Sequence, residues 1–319
     1  MARYVRVSTI TFGGAHHRPT DPKEIVKSNL KAAVELFEQA MLDKPDIVAL
    51  PEVFAFIGVP LEQWEKVAEP VDGQVVKTFC ELAKKHSCWV ICPFVEKEDG
   101  LRNSAAFIDR RGNVVAIYHK MHPTIGEMEA GVIPGNEAVV VESDFGRIGC
   151  AICFDLNFKD VIEGMAKRGV EIVFFCSMYL GGLQTRIWAH DYSVFIASAC
   201  TSFGGMLVDP LGRVIATSQP YEPIVTRRLN LDVVVLHLDY NHTKFAALKE
   251  RYGHAIEIDI SSPEGKCMLI SHSHEVSAKE IATEFGIEPL RSYFERAETM
   301  RQKILASLNH KRGRTAEEN

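Results

Sequence analysis

No apolar run in this 319-residue chain approaches the roughly eighteen residues that a membrane-crossing helix needs, so a membrane span is not expected. Basic residues are not in excess either: 36 Lys and Arg against 42 Asp and Glu leave a formal net charge of −6. A sequence-independent nucleic-acid binder needs the opposite balance to neutralise phosphates, and that class is set aside. A disulfide framework is also missing, because most of the eight cysteines lie inside apolar runs such as FFCS, ASAC and GCAIC and read as reduced, buried thiols. The opening MARYVRVSTITF alternates like a strand and lacks the charged, apolar and cleavage-site order of a leader, which predicts a cytoplasmic protein. There is no long internal repeat. What remains is ordinary globular material, 46% hydrophobic and 24% charged, with enough apolar residues for a substantial core and with small molecules as the expected partners.

Short apolar runs alternate with amphipathic stretches: YVRVSTITF, a helical stretch over about 21–42, DIVALPE, a second helix near 74–86, and CWVICPFVE. That rhythm predicts an α/β fold. SAAFIDRRGNVVAIYHK reads as two strands joined by a turn at Arg111-Gly112-Asn113, followed by a loop from Met121 to Gly135. AVVVESDFGRIGCAICFD reads as another strand pair, followed by helical VIEGMAKRG, the strand VEIVFFCS and a helix over about 184–193. VFIASACTS, GGMLVDPLGRVIATS and VVVLHLD complete the pattern, which two half-buried sheets with helices outside would satisfy. Beyond Asp239 the character changes. Helical KFAALKERYG and AKEIATEF bracket two strand-like runs, and Pro289 stands at a first helical position. Leu290, Tyr293, Phe294, Ala297, Met300, Ile304 and Leu305 then recur on one helical face, a stripe expected to dock on its own domain or on another subunit. The final HKRGRTAEEN is expected to be a loose tail.

Three polar residues each end an apolar run: Glu52 in DIVALPE, Lys120 in VVAIYHK and Cys153 in RIGCAIC. If those runs are strands, their carboxyl ends bring a carboxylate, an ammonium and a thiol to one sheet edge, where α/β folds bind ligands. A thiol between a base and a cation is a reactive thiol. Taken singly, each residue has a blander reading, since Glu and Lys cap solvent-facing strand ends and most buried cysteines are inert.

The order and spacing of these segments add to the case. LPEVF, YHKMHP and GCAICFDLNF follow one another with 68 residues from Glu52 to Lys120 and 33 from Lys120 to Cys153. In this the chain resembles the nitrilase superfamily of carbon-nitrogen hydrolases from about residue 5 to 239, these segments being similar to its glutamate, lysine and cysteine motifs. Gly73, the pair Asn103-Ser104 and DPLGRVIATS are further matches. The resemblance implies a four-layer αββα sandwich over residues 1–239, with residues 240–319 as an extension for docking or oligomerisation, giving a homodimer or larger assembly. It implies that Glu52 accepts the thiol proton, that Cys153 attacks the carbonyl or nitrile carbon, and that Lys120 and the backbone N–H of Phe154 stabilise the oxyanion. It also implies a second carboxylate after the lysine, for which Glu127 is the candidate and Glu129 the alternative. No cofactor and no metal are called for.

Other readings of the same residues are weaker. Cys150 and Cys153 form a Cys-x-x-Cys, yet residues three apart on a strand face opposite ways, and no second ligand pair appears for zinc. His16, His17, His119 and His122 could suggest a metal or a Cys-His dyad, although the carboxylate already supplies a base. Gly13-Gly14 and Gly181-Gly182 lack phosphate-loop spacing and read as turns. A reading from another class is a silent binding or scaffold protein on the same fold, against which the retention of all three residues argues.

For the substrate the motifs divide. KMHPTIGE is similar to the lysine segment of true nitrilases, but Phe154-Asp155 stands where those have Trp-Glu, and CFDLNF looks closer to the amidase and carbamoylase branches. Asn157 replaces an arginine that would hold a substrate carboxylate through its planar fork. A neutral or weakly polar amide is therefore the first expectation, a carbamoyl compound the second and a nitrile the third. Phe54, Tyr179 and Trp188 are expected to form an apolar pocket wall together with Phe154, beside Asn157. Asp191, after an unexpected His190, is read as structural support.

Overall fold

The structure, a computed structural model, describes residues 1–16 and 19–317, with side chains as far as Leu308. His17 therefore lies outside the described residues. The described chain forms two compact units, one spanning Tyr4–Leu231 and the other joining Met1–Arg3 to Asp232–Asn319.

In the larger unit, the first six-stranded sheet has β1 (Tyr4–Ile10), β2 (Ile47–Ala49), β3 (Trp89–Lys97), β4 (Leu101–Ile108) and β5 (Val114–His119) in sequence order, with β12 (Ile224–Asn230) on the far side of β1. The second runs from β6 (Val140–Glu142) through β7 (Arg147–Ile152), β8 (Ile172–Ser177), β9 (Phe195–Cys200) and β10 (Met206–Val208) to β11 (Val214–Thr217). Strands β8 and β9 are buried at every residue and β3 at all but its last, as strands covered on both faces must be. Helices α1 (Pro22–Ala40) and α3 (Gln74–His86) cover the first sheet, with Phe37 and Phe79 meeting edge to face at 5.6 Å. Between them in sequence lies the single turn α2 (Trp64–Val67). Helices α5 (Lys159–Lys167) and α6 (Gly182–Tyr192) share an apolar cluster with the second sheet. The αββα sandwich expected from the sequence is thus present.

Local chemistry fixes the entry points. Asp21 caps α1 by accepting from the N–H groups of Lys23 (3.0 Å) and Glu24 (3.1 Å), and Pro22 occupies the first turn, where no N–H is needed. The turn between β4 and β5 closes by a bond from the Asp109 N–H to the Asn113 carbonyl at 2.9 Å, with Gly112 at φ 82° as the sequence foresaw.

Several expectations change. The Met121–Gly135 segment is not only loop, since Thr124 caps a short helix α4 (Ile125–Glu129). Strand β12, with Arg227 and Arg228 in its middle, had no apolar run to announce it and is recruited by antiparallel pairing with β1. VVVLHLD forms β13 (Val233–His237), which pairs with β15 (Lys266–Ser271) in the smaller unit, next to β14 (Ile256–Ser261). There Leu236 packs with Leu248 of α7 (Phe245–Tyr252) and Ile281 of α8 (Ala278–Glu284). The last helix, α9 (Leu290–Glu317), continues into the stretch expected as a loose tail, which carries no proline to stop it. Its stripe divides: Leu290 is buried and Tyr293 stacks on His237 at 4.6 Å, whereas Phe294, Met300, Ile304 and Leu305 are exposed.

Candidate active site

The register explains how distant residues converge. Strand β2 pairs parallel with β3, β3 antiparallel with β4 and β4 antiparallel with β5, so the carboxyl ends of β2 and β5 lie at the same edge of the first sheet. Glu52 follows the first of these strands closely and Lys120 the second immediately, while Cys153 directly follows β7 of the other sheet. Two backbone irregularities aim the side chains. Val53, next to Glu52, has φ 42° and Cys153 has φ 49°, both in the left-handed region that side chains with a Cβ rarely adopt. Holding such residues costs of order 1–3 kcal/mol each, which the surrounding packing offsets. The loop after Glu52 is pinned by buried Asn29 of α1, whose amide donates to the carbonyls of Ala55 (3.1 Å) and Ile57 (2.8 Å). Gly135 donates its N–H to the Lys120 carbonyl at 2.8 Å, and a Cβ there would collide with the His119 carbonyl.

Lys120 is buried between two carboxylates. Its Nζ donates to Glu52 Oε1 at 2.7 Å and to Glu127 at 2.8 Å (Oε2) and 3.1 Å (Oε1). Asn103, from β4, bridges the same pair, donating from Nδ2 to Glu52 Oε1 (2.9 Å) and Glu127 Oε1 (2.8 Å). The Met178 N–H, just past β8, donates to Glu52 Oε2 at 3.1 Å. Glu127 is also the third residue of α4, where it accepts from the Thr124 N–H at 2.7 Å in a capping box. Of the two candidates for a second carboxylate, Glu127 therefore stands against the ammonium, whereas Glu129 is exposed.

Burial alone would lower the Lys120 pKa, but the charges of Glu52 and Glu127 overcome it and hold the ammonium above its usual range. Burial likewise would raise Glu127, and Lys120 more than reverses the effect. The Cys153 thiol is pushed up to about 12, first by burial and then by the Glu52 charge, with Lys120 and Ser177 acting the other way. With its pKa raised in this way, the sulfur is held as a thiol beside Glu52. Cys153 begins a 3₁₀ turn (Cys153–Asn157), so the Phe154 N–H has no acceptor within that turn.

The remaining residues divide. Tyr179 is half-buried near Cys153, and its hydroxyl donates to Gln184 at 3.5 Å. Gln184 donates to Asn157 Oδ1 at 2.8 Å, and Asn157 donates to the Phe154 carbonyl at 3.0 Å. Phe54 and Trp188, expected in a pocket wall, are instead core residues: Phe54 is fully buried edge-on to Phe79, and Trp188 packs in the cluster around α5 and α6. Cys150 is fully buried in β7 with its sulfur toward Cys176. His119 pairs with Glu96, and His122 with Asp160. Among the described residues no three His, Cys, Asp or Glu side chains converge to hold a metal ion. Sequence reasoning missed the bridging amide of Asn103 and the buried carboxylate of Asp155. A polar residue inside an otherwise apolar strand is the signal at Asn103, and one just after such a strand is the signal at Asp155.

Comparison with known proteins gives the family. The family model described as carbon-nitrogen hydrolase matches residues 12–236. A deaminated glutathione amidase of Dictyostelium discoideum is 29% identical over 225 residues, 59% of this chain and 77% of that protein. One of Bos taurus is 26% identical over 239 residues, 65% of this chain and 73% of that protein. Among solved structures, Saccharomyces cerevisiae Nit3, a member of branch 10 of the nitrilase superfamily, aligns with a TM-score of 0.63 at 21% identity, over 72% of this chain and 90% of that one. That last likeness speaks for the fold. From the family match over most of its length, the chain belongs to the carbon-nitrogen hydrolase family and is an amidase-like hydrolase of carbon-nitrogen bonds other than peptide bonds.

Proposed function

We propose that Cys153 is the nucleophile, Glu52 the general base and acid, Lys120 with the Phe154 N–H the oxyanion site, and Glu127 the second carboxylate that holds Lys120 charged. The observation that carries this reading is the buried contact of Lys120 Nζ with both Glu52 (2.7 Å) and Glu127 (2.8 Å) beside the left-handed Cys153. Glu52 takes the thiol proton as Sγ attacks the amide carbon. Negative charge moves from Glu52 toward sulfur and then to the substrate oxygen, so the net charge of the cluster does not change during the step. An ammonium has three N–H donors, and the two carboxylates engage two of them, since Glu127 shares one. The third is available to the oxyanion, and loss of such a donor typically costs about 10²- to 10³-fold in rate. Glu52 then returns its proton to the leaving ammonia or amine, a thioester to Cys153 forms, and a water activated by Glu52 releases the acid.

The substrate is read as a neutral or weakly polar amide. Asn157 is tied to Gln184 and to the Phe154 carbonyl, and it offers no guanidinium fork for a carboxylate. The relatives named deaminated glutathione amidase favour an amide as the scissile group over a nitrile, and a carbamoyl compound ranks between the two. All eight cysteines are free, in keeping with a reducing compartment such as the cytoplasm. The exposed side chains of Phe294, Met300, Ile304 and Leu305 support a homodimer or larger assembly through residues 240–319. Sedimentation of a chain truncated before residue 288 is expected to show a smaller assembly.

The decisive experiment is ammonia release over a panel of amides, carbamoyl amino acids and nitriles, with intact mass to find an acyl adduct on Cys153. Adduct and ammonia are expected for the native chain and for neither in Cys153→Ala. Absence of both across the panel would favour a silent scaffold.

A further inference from the structure

Asp155 takes no part in the reaction as derived, yet it is the most completely buried carboxylate beside the site, with no exposed surface. Three donors from separate points of the chain meet on it. The Tyr118 hydroxyl donates to Oδ2 at 2.7 Å, the Ile152 N–H to the same oxygen at 2.8 Å, and the His122 N–H to Oδ1 at 2.8 Å. These positions are not arbitrary. Tyr118 and His122 flank Lys120 two residues away on either side, and Ile152 immediately precedes Cys153. Strand β5, which ends beside Lys120, and strand β7, which ends at Cys153, belong to different sheets, so neither sheet's own ladder fixes the ammonium relative to the thiol.

We infer that Asp155 is a positioning residue that couples the lysine-bearing strand end to the nucleophile turn, setting the separation of Lys120 Nζ from Cys153 Sγ without touching substrate. A carboxylate suits this role because it is acceptor-only and can take all three donors at once. An asparagine in its place keeps one acceptor oxygen and must turn an NH₂ toward at least one of the same donors. Burial works against the ion, raising Asp155 to about 6, and the Ile152, Tyr118 and His122 donors with the Lys120 charge limit that rise. Near neutral pH it is therefore an ion held by its donors.

The inference rests on Cys153 being the nucleophile, and two readouts keep the two ideas apart. The first is the rate of Cys153 alkylation by iodoacetamide, located by peptide mass, which needs no turnover. The second is kcat and KM for the amide with the fastest turnover. Asp155→Asn is expected to lower both the alkylation rate and kcat, kcat by about 10²-fold, the scale of a misplacement near 1 Å, while KM stays within about twofold. Tyr118→Phe removes one of the three donors, keeps the ring in the core and is expected to give a smaller kcat loss, about tenfold. It serves where Asp155→Asn does not fold. Native alkylation rate and native kcat in both variants would overturn the coupling, as would a loss confined to KM. Slower alkylation in a chain whose native form releases no ammonia would support the coupling and overturn the assigned reaction.

Discussion

Strand β7 is clamped to the opposite sheet at both ends by an aspartate, and the two clamps behave differently. Ahead of the strand, Asp144 accepts from the Trp89 indole and from Arg110 Nε at 3.0 Å, in a site open to water. After it, Asp155 accepts only neutral donors in a dry site. Burial pushes both aspartates up, but at Asp144 the Arg110 guanidinium and Trp89 win and hold it below the usual carboxylate range, while Asp155 remains near 6. At the wet end the guanidinium keeps its aspartate ionised, in a pair that water partly screens. At the dry end the Lys120 charge that favours the Asp155 ion is engaged by Glu52 and Glu127, so that clamp is sensitive to small changes.

Removing the cation of the dry end is expected to have the largest effect. Lys120→Ala leaves Glu52 and Glu127 buried without their partner, and is expected to abolish ammonia release and to lower stability by about 3–5 kcal/mol in urea melts. Less severe is the pH response of the native enzyme. The groups facing Asp155 are the Ile152 and His122 N–H, the Tyr118 phenol, the Lys120 ammonium and the nearby phenol of Tyr179. Activity should be present above about 6 and fall as Asp155 takes a proton below it, seen as an acid limb in kcat against pH. Tyr118→Phe removes a donor that favours the ion, so the limb should move to higher pH.

Stability should run in opposite directions at the two ends. The folded pKa of Asp155 lies above the usual value for aspartate, so its contribution is largest in acid and declines as pH rises from about 4 to about 6. That of Asp144 is depressed, so its contribution is present above the unfolded pKa and is lost as pH falls through the folded one. Melting Asp144→Asn and Asp155→Asn across pH 3–8 in steps of about one unit reads the two slopes separately. The smallest effect is expected at the wet end itself. Arg110→Ala should leave kcat unchanged and cost about 1 kcal/mol or less, because the pair is partly solvated.

Much of this was legible in the chain. Glu52, Lys120 and Cys153 could be read as strand-end residues because each ends an apolar run; β2 and β5 run the same way in the first sheet, and β7 ends at Cys153 in the second. What escaped has a physical cause in each case. The positive φ of Val53 and Cys153 leaves no trace in residue type, since neither is glycine. Asn103 and Asp155 act through partners distant in sequence, as in the bond from Asn103 to Glu52, 51 positions away. Aromatic residues near the motifs looked like a pocket wall, but apolar character is equally what a core requires, and Phe54 and Trp188 lie there. Strand β12 was hidden because edge strands tolerate charge, here Arg227 and Arg228.

The two carboxylate oxygens of Glu52 carry four lone pairs between them. Those on Oε1 are occupied by Lys120 and Asn103, and one of the two on Oε2 is occupied by the Met178 N–H. Among the described residues a single seat is left, on Oε2, and in the proposed reaction the thiol proton arrives there and departs from there. If Glu52 is the base as proposed, it has a handedness: the incoming nucleophile and the departing nitrogen address the same oxygen from the same side, in turn, and a substrate is productive only if its leaving nitrogen comes to rest where the sulfur's hydrogen had been.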